Sequence, residues 1–226
     1  MLYALDQNKS KIRAAPNIVA RCPLCDEPLI PKCGAIKIWH FAHQPTTTCD
    51  PWYEPESPWH LGWKSLVKPE FSEVLIRSKG SCHIADIKVG TRILEFQKSP
   101  LSYIDRLKRE AFYGPSLIWV VHQNRSALNI KYKSDGYCTF RWKHPKEWII
   151  TLQMLFPFYL DFDDGQMLLV RGVRKYPYFG ERTVYFDNIT DEFQEGYEKH
   201  YRTGGWGQVI SKDKFIEEYL TGYLNG

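Results

Sequence analysis

The segment from Asp86 to Gln97, DIKVGTRILEFQ, constrains the fold of this chain more than any other. Apolar residues alternate on both sides of Gly90, which predicts two β-strands joined by a tight turn. Asp86 and Glu95 then lie on neighbouring strands, and Glu95 and Gln97 point to one face because they are two residues apart. A hairpin that aims two carboxylates at one point predicts a site for a hard cation, Mg²⁺ or Mn²⁺. Such sites commonly hydrolyse phosphodiesters.

A simpler interpretation of Asp86 is an exposed residue of an edge strand, or a partner of Lys88 or Arg92. The neighbours of the two acids argue against it. Asp86 and Glu95 each have apolar residues on both sides in the sequence, and burying two acids without a cation is costly. The metal site is therefore the favoured interpretation.

Gln97 stands where a lysine would stabilise charge on the phosphate. Its amide can orient water or contact a phosphate, but it brings no charge. We therefore expect the cation to come from another residue. The candidates are Lys64, Lys98, Arg106 and Arg109. Lys64 is favoured because it shares one face of a predicted helix with His60, four residues earlier; the alternative for both is a solvated helix surface.

Cysteines and histidines cluster in the N-terminal part of the chain. Cys22 and Cys25 form a C-x-x-C pair, whose spacing is typical of a metal-binding knuckle. The predicted ligands of a structural Zn²⁺ are Cys22, Cys25, His43 and Cys49. His40 in place of Cys49 is the second choice, and Cys33 is a further candidate. A chance pair of buried thiols is the alternative, and it is disfavoured because no βαβ redox context surrounds the pair.

Helix and strand signals from residue 57 to 122 predict the order helix, three strands, helix and strand. The first helix covers 57–68, with Ser57 as its cap and Pro69 as its stop. The second covers 101–113, where we expect Ile104 and Leu107 on the buried face and the basic residues in solvent. The predicted strands cover 72–77, 82–89, 91–97 and 116–122.

The remaining segments predict shorter elements. Residues 1–20 are typical of a hairpin, and 128–142 of a second one. Further strands are predicted at 159–161 and 166–176, and a final helix at 211–224, whereas 146–156 fits either a helix or a strand. Trp59, Trp63 and Trp119 are assigned to packing, and the phase of Glu73 on its strand stays open.

Composition limits the possible partners. The chain has 226 residues and a formal net charge of +4, compatible with nucleic acid but too weak to argue for it alone. The sequence has no run of about 18 apolar residues, so no membrane span is predicted. The N-terminus does not resemble a secretory signal. We expect a cytoplasmic protein with no membrane partner, whose cysteines are thiols or metal ligands.

Several motifs occur together in one order along the chain. They are C-P-x-C, HFAH, a helix with His60 before Lys64, ADI, EFQ-x-S, a helix ending in R-x-x-x-Y at Arg109 to Tyr113, and a strand containing IW. In this order they resemble the competence protein CoiA-like family, over about residues 20 to 122.

The resemblance implies a fold of the PD-(D/E)XK nuclease superfamily. The expected class is α/β: a restriction-endonuclease-like αβββαβ core with a mixed sheet at 56–139, an N-terminal zinc-binding module at 1–55, and a C-terminal α+β accessory region at 140–226. The resemblance also implies a Mg²⁺-dependent deoxyribonuclease in which Asp86 and Glu95 bind the metal and Gln97 takes the usual lysine position. Competence, recombination or defence against foreign DNA are the expected roles.

Two other functions remain open from the sequence. Gln97 without a replacement cation would fit a catalytically degenerate module that only binds DNA. The C-terminal region would also suit a structural subunit that recruits a helicase, a recombinase or another DNA-processing protein.

Overall fold

The computed structural model describes residues 1–45, 49–52, 57–78, 80–143, 155–177 and 201–225. Five short strands form an N-terminal sheet. They are β1 Tyr3–Leu5, β2 Lys11–Arg13, β3 Ala20–Arg21, β4 Pro28–Lys32 and β5 His40–Ala42. Their order is β2-β1-β3-β4-β5, and β1 and β2 form a hairpin whose second strand is Lys11–Arg13, in the segment expected to connect two strands. The core beneath is small, so a further cross-link is expected to hold it.

Nine further strands of the described chain form one large sheet. They are β6 Ser72–Ser78, β7 Ser81–Val89, β8 Arg92–Gln97, β9 Leu117–His122, β10 Leu128–Tyr132, β11 Tyr137–Trp142, β12 Phe158–Asp161, β13 Gln166–Pro177 and β14 Tyr201–Ser211. Their order is β10-β11-β14-β13-β12-β9-β8-β7-β6. The described α-helices are α1 Pro58–Lys64, α2 Tyr103–Tyr113 and α3 Lys212–Leu220. None of these helices has the length and apolar character needed to cross a membrane.

Between residues 58 and 122 the elements follow the predicted order α1, β6, β7, β8, α2 and β9. Strands β6, β7 and β8 pair antiparallel, whereas β9 lies parallel to β8. The parallel pair requires a crossover, which α2 provides. A mixed α/β fold is therefore confirmed.

Strands beyond residue 139 continue the same sheet. β12 lies parallel to β9 and antiparallel to β13, so the regions 56–139 and 140–226 both contribute to it. The predicted hairpin at 128–142 and the strands at 159–161 and 166–176 are present. The segment 146–156 lies largely outside the described residues.

The sequence does not predict β14, because its three glycines weaken the strand signal. The structure explains why glycine is needed there. A Cβ on Gly205 would lie 2.1 Å from the carbonyl oxygen of Gly172, and one on Gly207 would lie 2.1 Å from that of Leu169. Glycine therefore allows β13 and β14 to approach closely.

Hydrophobic layers cover both faces of the large sheet. One layer contains Trp119 and Phe140, and the other contains Trp59, Trp63 and Phe215 of α3. All three tryptophans assigned to packing are buried, as predicted. The site described below therefore sits on a sheet that is fixed from both sides.

Helix α1 is shorter than predicted and ends at Lys64 rather than at Pro69. Beyond the helix, the C-terminal tail binds the backbone of the chain. Asn225 Nδ2 donates to the carbonyl oxygens of Ser65 and Val67 at 2.7 and 2.8 Å. Because these two carbonyl oxygens accept hydrogen bonds from Asn225, the backbone beyond Lys64 is satisfied without a further helical turn.

The buried face of α2 is the opposite of the predicted one. Arg106 and Arg109 are buried, whereas Ile104 and Leu107 are 56% and 38% exposed. The prediction is wrong because the arginines have partners inside: Arg106 contacts Glu110, and Arg109 reaches the acidic site described below. Hydrophobic periodicity does not detect a helix face that is buried through its charges.

The fully buried carboxylate of Asp161 holds α1 against β12. Its Oδ2 accepts hydrogen bonds from Trp59 Nε1 and Trp63 Nε1, both at 2.7 Å. Lys212 Nζ lies 3.9 Å from the same oxygen. The carboxylate thus fixes the helix that carries His60 and Lys64.

Replacing Asp161 with Ala should lower the free energy of unfolding by about 3 kcal/mol, because two buried indole N–H groups lose their acceptor. Asp161→Asn keeps one acceptor oxygen and should lose less. Urea denaturation followed by tryptophan fluorescence measures both changes. Asp163→Asn, the same change on an exposed neighbour, is the matched control. Equal midpoints for Asp161→Ala and this control would contradict the role of Asp161.

Candidate functional site

A cavity of about 80 Å³ lies beside α1 and strands β6, β7 and β8. Its wall brings together all five residues predicted to be catalytic: His60, Lys64, Asp86, Glu95 and Gln97. The same wall includes two predicted zinc ligands, His43 and Cys49, and three further charged residues: Asp50, Glu73 and Arg109.

Strands β7 and β8 separate at Asp86. Their paired register ends at Ile87 and Leu94, and beyond it the Phe96 amide donates to Asp86 Oδ2 at 2.9 Å. Ala85 packs in one hydrophobic layer and Ile87 in the other, although they are two residues apart. The backbone of β7 therefore twists at Asp86, and its carboxylate faces the cavity with 21% of the side chain exposed.

Glu95 is buried at the position next to Asp86 on β8. Its Oε2 lies 3.4 Å from Arg109 Nη1, whereas its buried Oε1 has no hydrogen-bond partner within the described residues. Burial, and then the charge of Asp86, raise the pKa of Glu95 to about 8, and Arg109 offsets only part of this effect. A bound cation would favour the ionised carboxylate.

Lys64 supplies a positive charge within the cavity. Its buried Nζ lies 2.7 Å from Glu73 Oε1 and 3.4 Å from Asp86 Oδ1. The expectation that α1 directs Lys64 at the acids therefore agrees with the geometry. The alternative, a solvated helix surface, does not agree, because only 2% of Lys64 is exposed.

His60 and Gln97 both line the cavity but are held by other groups. The Ser57 amide points at His60 Nδ1 at 3.3 Å, and His60 Nε2 lies 3.1 Å from the Phe96 carbonyl oxygen. This arrangement fixes the tautomer with the proton on Nε2 and ties the start of α1 to β8. Gln97 Nε2 donates to the Ser99 carbonyl oxygen at 2.8 Å.

Glu73 is the main residue that sequence reasoning left undecided. It lies opposite Asp86 in the pairing of β6 with β7, between the pairs Ser72↔Ile87 and Val74↔Ala85. Its Oε1 and Oε2 accept hydrogen bonds from the amides of Leu2 and Tyr3, each at 2.8 Å. A backbone φ of 51° at Glu73 turns the residue out of the regular strand, which strand periodicity does not predict.

The predicted zinc ligands come together as expected. The ligand atoms of Cys22, Cys25, His43 and Cys49 all lie within 4.8 Å of one another. Cys22 Sγ and Cys49 Sγ are 3.6 Å apart, close to the roughly 3.8 Å expected for two sulfurs on one tetrahedral Zn²⁺. The Leu24 amide donates to Cys22 Sγ at 3.4 Å. This set can bind zinc, and neither His40 nor Cys33 belongs to it.

Asp50 connects the zinc cluster to the acidic cavity. It follows Cys49 directly, and its Oδ2 accepts the Ile84 amide of β7 at 3.1 Å, two residues before Asp86. Its Oδ1 lies 2.8 Å from His83 Nδ1, and the His83 ring stacks on Trp52 at 3.3 Å. No sequence pattern indicates this role, because Asp50 lies in a loop and its partners His83 and Ile84 are more than thirty residues away.

Residues 6–51 match the family model of the competence protein CoiA N-terminal domain. The N-terminal segment is CoiA-like. All four clustered metal-ligand candidates lie within the matched residues, so the CoiA-like segment and the zinc prediction coincide. The resemblance drawn from the motifs is confirmed for the N-terminal segment. No curated protein and no solved structure matches the chain.

We expect the purified protein to hold one zinc ion per chain, measured by elemental analysis after dialysis. Cys49→Ser should lose most of it, because one of four ligands is removed. Cys82→Ser, which changes a cysteine outside the cluster, should keep it. Equal zinc contents in the two variants would contradict the ligand set.

Glu95 should make the protein less stable as pH rises when zinc is the only divalent ion present. Its folded pKa of about 8 exceeds the ordinary value of 4.5 for a glutamate, so the native state holds a proton that the unfolded state releases. The free energy of unfolding should fall by up to about 1.4 kcal/mol per pH unit between the two pKa values. Urea denaturation from about pH 6 to pH 8 measures this slope.

Glu95→Gln should flatten the slope, because the amide does not titrate. Glu70→Gln, at an exposed position, is the matched control and should keep it. The same slope in both variants would show that another group binds the proton.

Proposed function

We propose that this chain is a metal-dependent deoxyribonuclease of the PD-(D/E)XK type. The observation that carries the proposal is the buried carboxylate of Glu95, whose contacts with Arg109 and Tyr113 are weak, in a cavity that Asp86 also lines. Buried acceptors in proteins are nearly always satisfied, and two carboxylates are the ligands that a hard divalent cation prefers. The αβββαβ order of residues 58–122 supports the superfamily assignment.

The residues present fit a Mg²⁺ or Mn²⁺ ion. Asp86 is partly open to solvent, whereas Glu95 is buried, so one ligand lies towards the entrance and the other lies inside. A cavity of about 80 Å³ has room for an ion with several waters. When bound, such an ion would lower the pKa of a coordinated water and offset charge on the phosphate.

The chain's own residues supply orientation and charge. The Phe96 amide fixes Asp86, and Arg109 contacts Oε2 of Glu95. Lys64 would stabilise negative charge on the scissile phosphate, because Gln97 carries none. His60 would position α1 relative to β8, and Gln97 would contact the phosphate or a water.

DNA is the proposed substrate, and a competence-related process is the proposed context. The CoiA N-terminal domain match supports the context, and the formal charge of +4 is compatible with a polyanionic substrate. The substrate assignment follows from the superfamily proposal.

A catalytically degenerate module that only binds DNA is the second candidate. The observation that favours it is the Gln97 amide, which bonds to the Ser99 carbonyl oxygen and lies where the superfamily usually has lysine. Lys64 beside Asp86 favours the enzyme instead. DNA that is bound by the zinc-loaded protein but never nicked in Mg²⁺ or Mn²⁺ would establish the binding module.

Plasmid nicking by the zinc-loaded protein in Mg²⁺ or Mn²⁺ tests the enzyme. Asp86→Asn and Glu95→Gln should each reduce the rate by at least about a hundredfold, because each removes charge from the metal site. Glu70→Gln, which removes an exposed carboxylate, should cut like the wild type. Activity that survives in the double variant Asp86→Asn/Glu95→Gln would refute the assignment.

A further inference from the structure

One face of strands β10, β11, β14 and β13 carries basic and aromatic side chains. Lys131 pairs with Thr139, which pairs with Trp206, and Arg141 and Arg174 flank Gly204 from the two sides. The alternate residues of β11, such as Phe140, are buried in the core. The basic and aromatic set therefore shares the face that points away from that core.

These side chains line a shallow groove of about 790 Å³. Among the described residues of its wall, Lys131, Arg141 and Arg174 are basic and none is acidic. All three basic residues are exposed. The groove therefore concentrates positive charge on a protein whose formal net charge is only +4, and its occupant should be anionic.

Trp206 is the centre of this groove and lies flat on the sheet. A Cβ on Gly172 would come within 2.2 Å of its indole ring, so glycine is needed beneath it. The Arg174 guanidinium lies 4.6 Å from the ring centroid. The half-buried indole and the guanidinium together form a stacked platform, and Tyr137 adds an exposed ring nearby.

We propose that this groove binds single-stranded DNA, with bases stacked on the Trp206–Arg174 platform and phosphates on Lys131 and Arg141. Flat aromatic and guanidinium surfaces beside a positive groove are how proteins hold single strands without reading their sequence. In a duplex the faces of the bases are already stacked, so a platform of this kind favours a single strand. The choice of DNA as the ligand rests on the proposed nuclease function.

The groove and the acidic cavity lie on different parts of one sheet. Strands β9, β12 and β13 lie between β8 and β14. The distance across the sheet from β8 to β14 is therefore roughly 20 Å at the usual spacing between strands. Glu95 pairs with Trp119, whose side chain lies in the same layer as Phe140. The groove faces away from that layer, so it is a binding surface separate from the cavity.

The test measures binding without cleavage. Fluorescence anisotropy follows a labelled oligothymidine of about 16 nucleotides, the upper end of known site sizes, on the full zinc-loaded chain carrying Glu95→Gln. No other divalent ion and no chelator is added. Failure of the nuclease proposal would appear only in the plasmid assay, so the two outcomes are separate.

Lys131→Gln/Arg141→Gln should weaken binding at least about tenfold at low salt and reduce the salt slope by about 1.4, or 0.7 for each lost phosphate contact. Trp206→Leu should weaken binding at least about fivefold with the salt slope unchanged, because it removes stacking and no charge. Trp206→Phe should keep most of the affinity. Lys9→Gln/Lys32→Gln, which removes two exposed charges from the N-terminal sheet, should bind like the parent protein.

Each of three results would overturn the proposal. The first is equal affinity of the Lys131→Gln/Arg141→Gln variant and the lysine control. The second is equal affinity of Trp206→Leu and Trp206→Phe, with both folded by circular dichroism. The third is binding of the oligothymidine–oligoadenosine duplex as tight as binding of the single strand, or no binding of either.

Discussion

The carboxylate of Glu73 is the interaction that joins the two sheets. It accepts the amides of Leu2 and Tyr3 from the N-terminal sheet and the ammonium of Lys64 from α1. On the other side of the junction, Lys11 Nζ donates to the carbonyl oxygens of Pro69, Ser72 and Glu73 itself. A buried carboxylate with three donors, one of them charged, is well satisfied. Removing it would leave Asp86 as the remaining carboxylate beside Lys64. The direction of Lys64 depends on this group, and Glu73 itself has a backbone φ of 51°.

The two carboxylates of the cavity have unlike surroundings. Asp86 is partly exposed, accepts a hydrogen bond from the Phe96 amide and lies near Lys64. Glu95 is buried, its arginine contact is long, and its pKa is raised. In the proposed enzyme the energy needed to ionise Glu95 would be supplied by the metal. Metal affinity would then depend on pH, because binding releases a proton.

Local patterns in the sequence predicted much of this arrangement. The hairpin with Asp86 and Glu95 follows from alternation around Gly90, and the zinc ligands follow from cysteine and histidine spacing. The misses come from long-range effects. The buried face of α2 is set by partners of Arg106 and Arg109 that periodicity does not reveal. Strand β14 contains glycines that approach the carbonyl oxygens of Gly172 and Leu169 on β13. Glu73 and Asp50 act through backbone amides far away in the chain, and single-sequence patterns contain no information on such pairs.

The short link from Cys49 to Asp50 has a practical consequence for metal exchange. The thiolate cluster suits a soft ion, and the carboxylate cavity suits a hard one. Residues of both sites line the same cavity wall. Asp50 also accepts the backbone amide of β7 two residues before Asp86. A broad chelator such as EDTA would strip both ions and loosen that hydrogen bond. Inhibition by EDTA would therefore not identify the catalytic metal, and restoring magnesium alone would not restore the geometry until zinc was also returned.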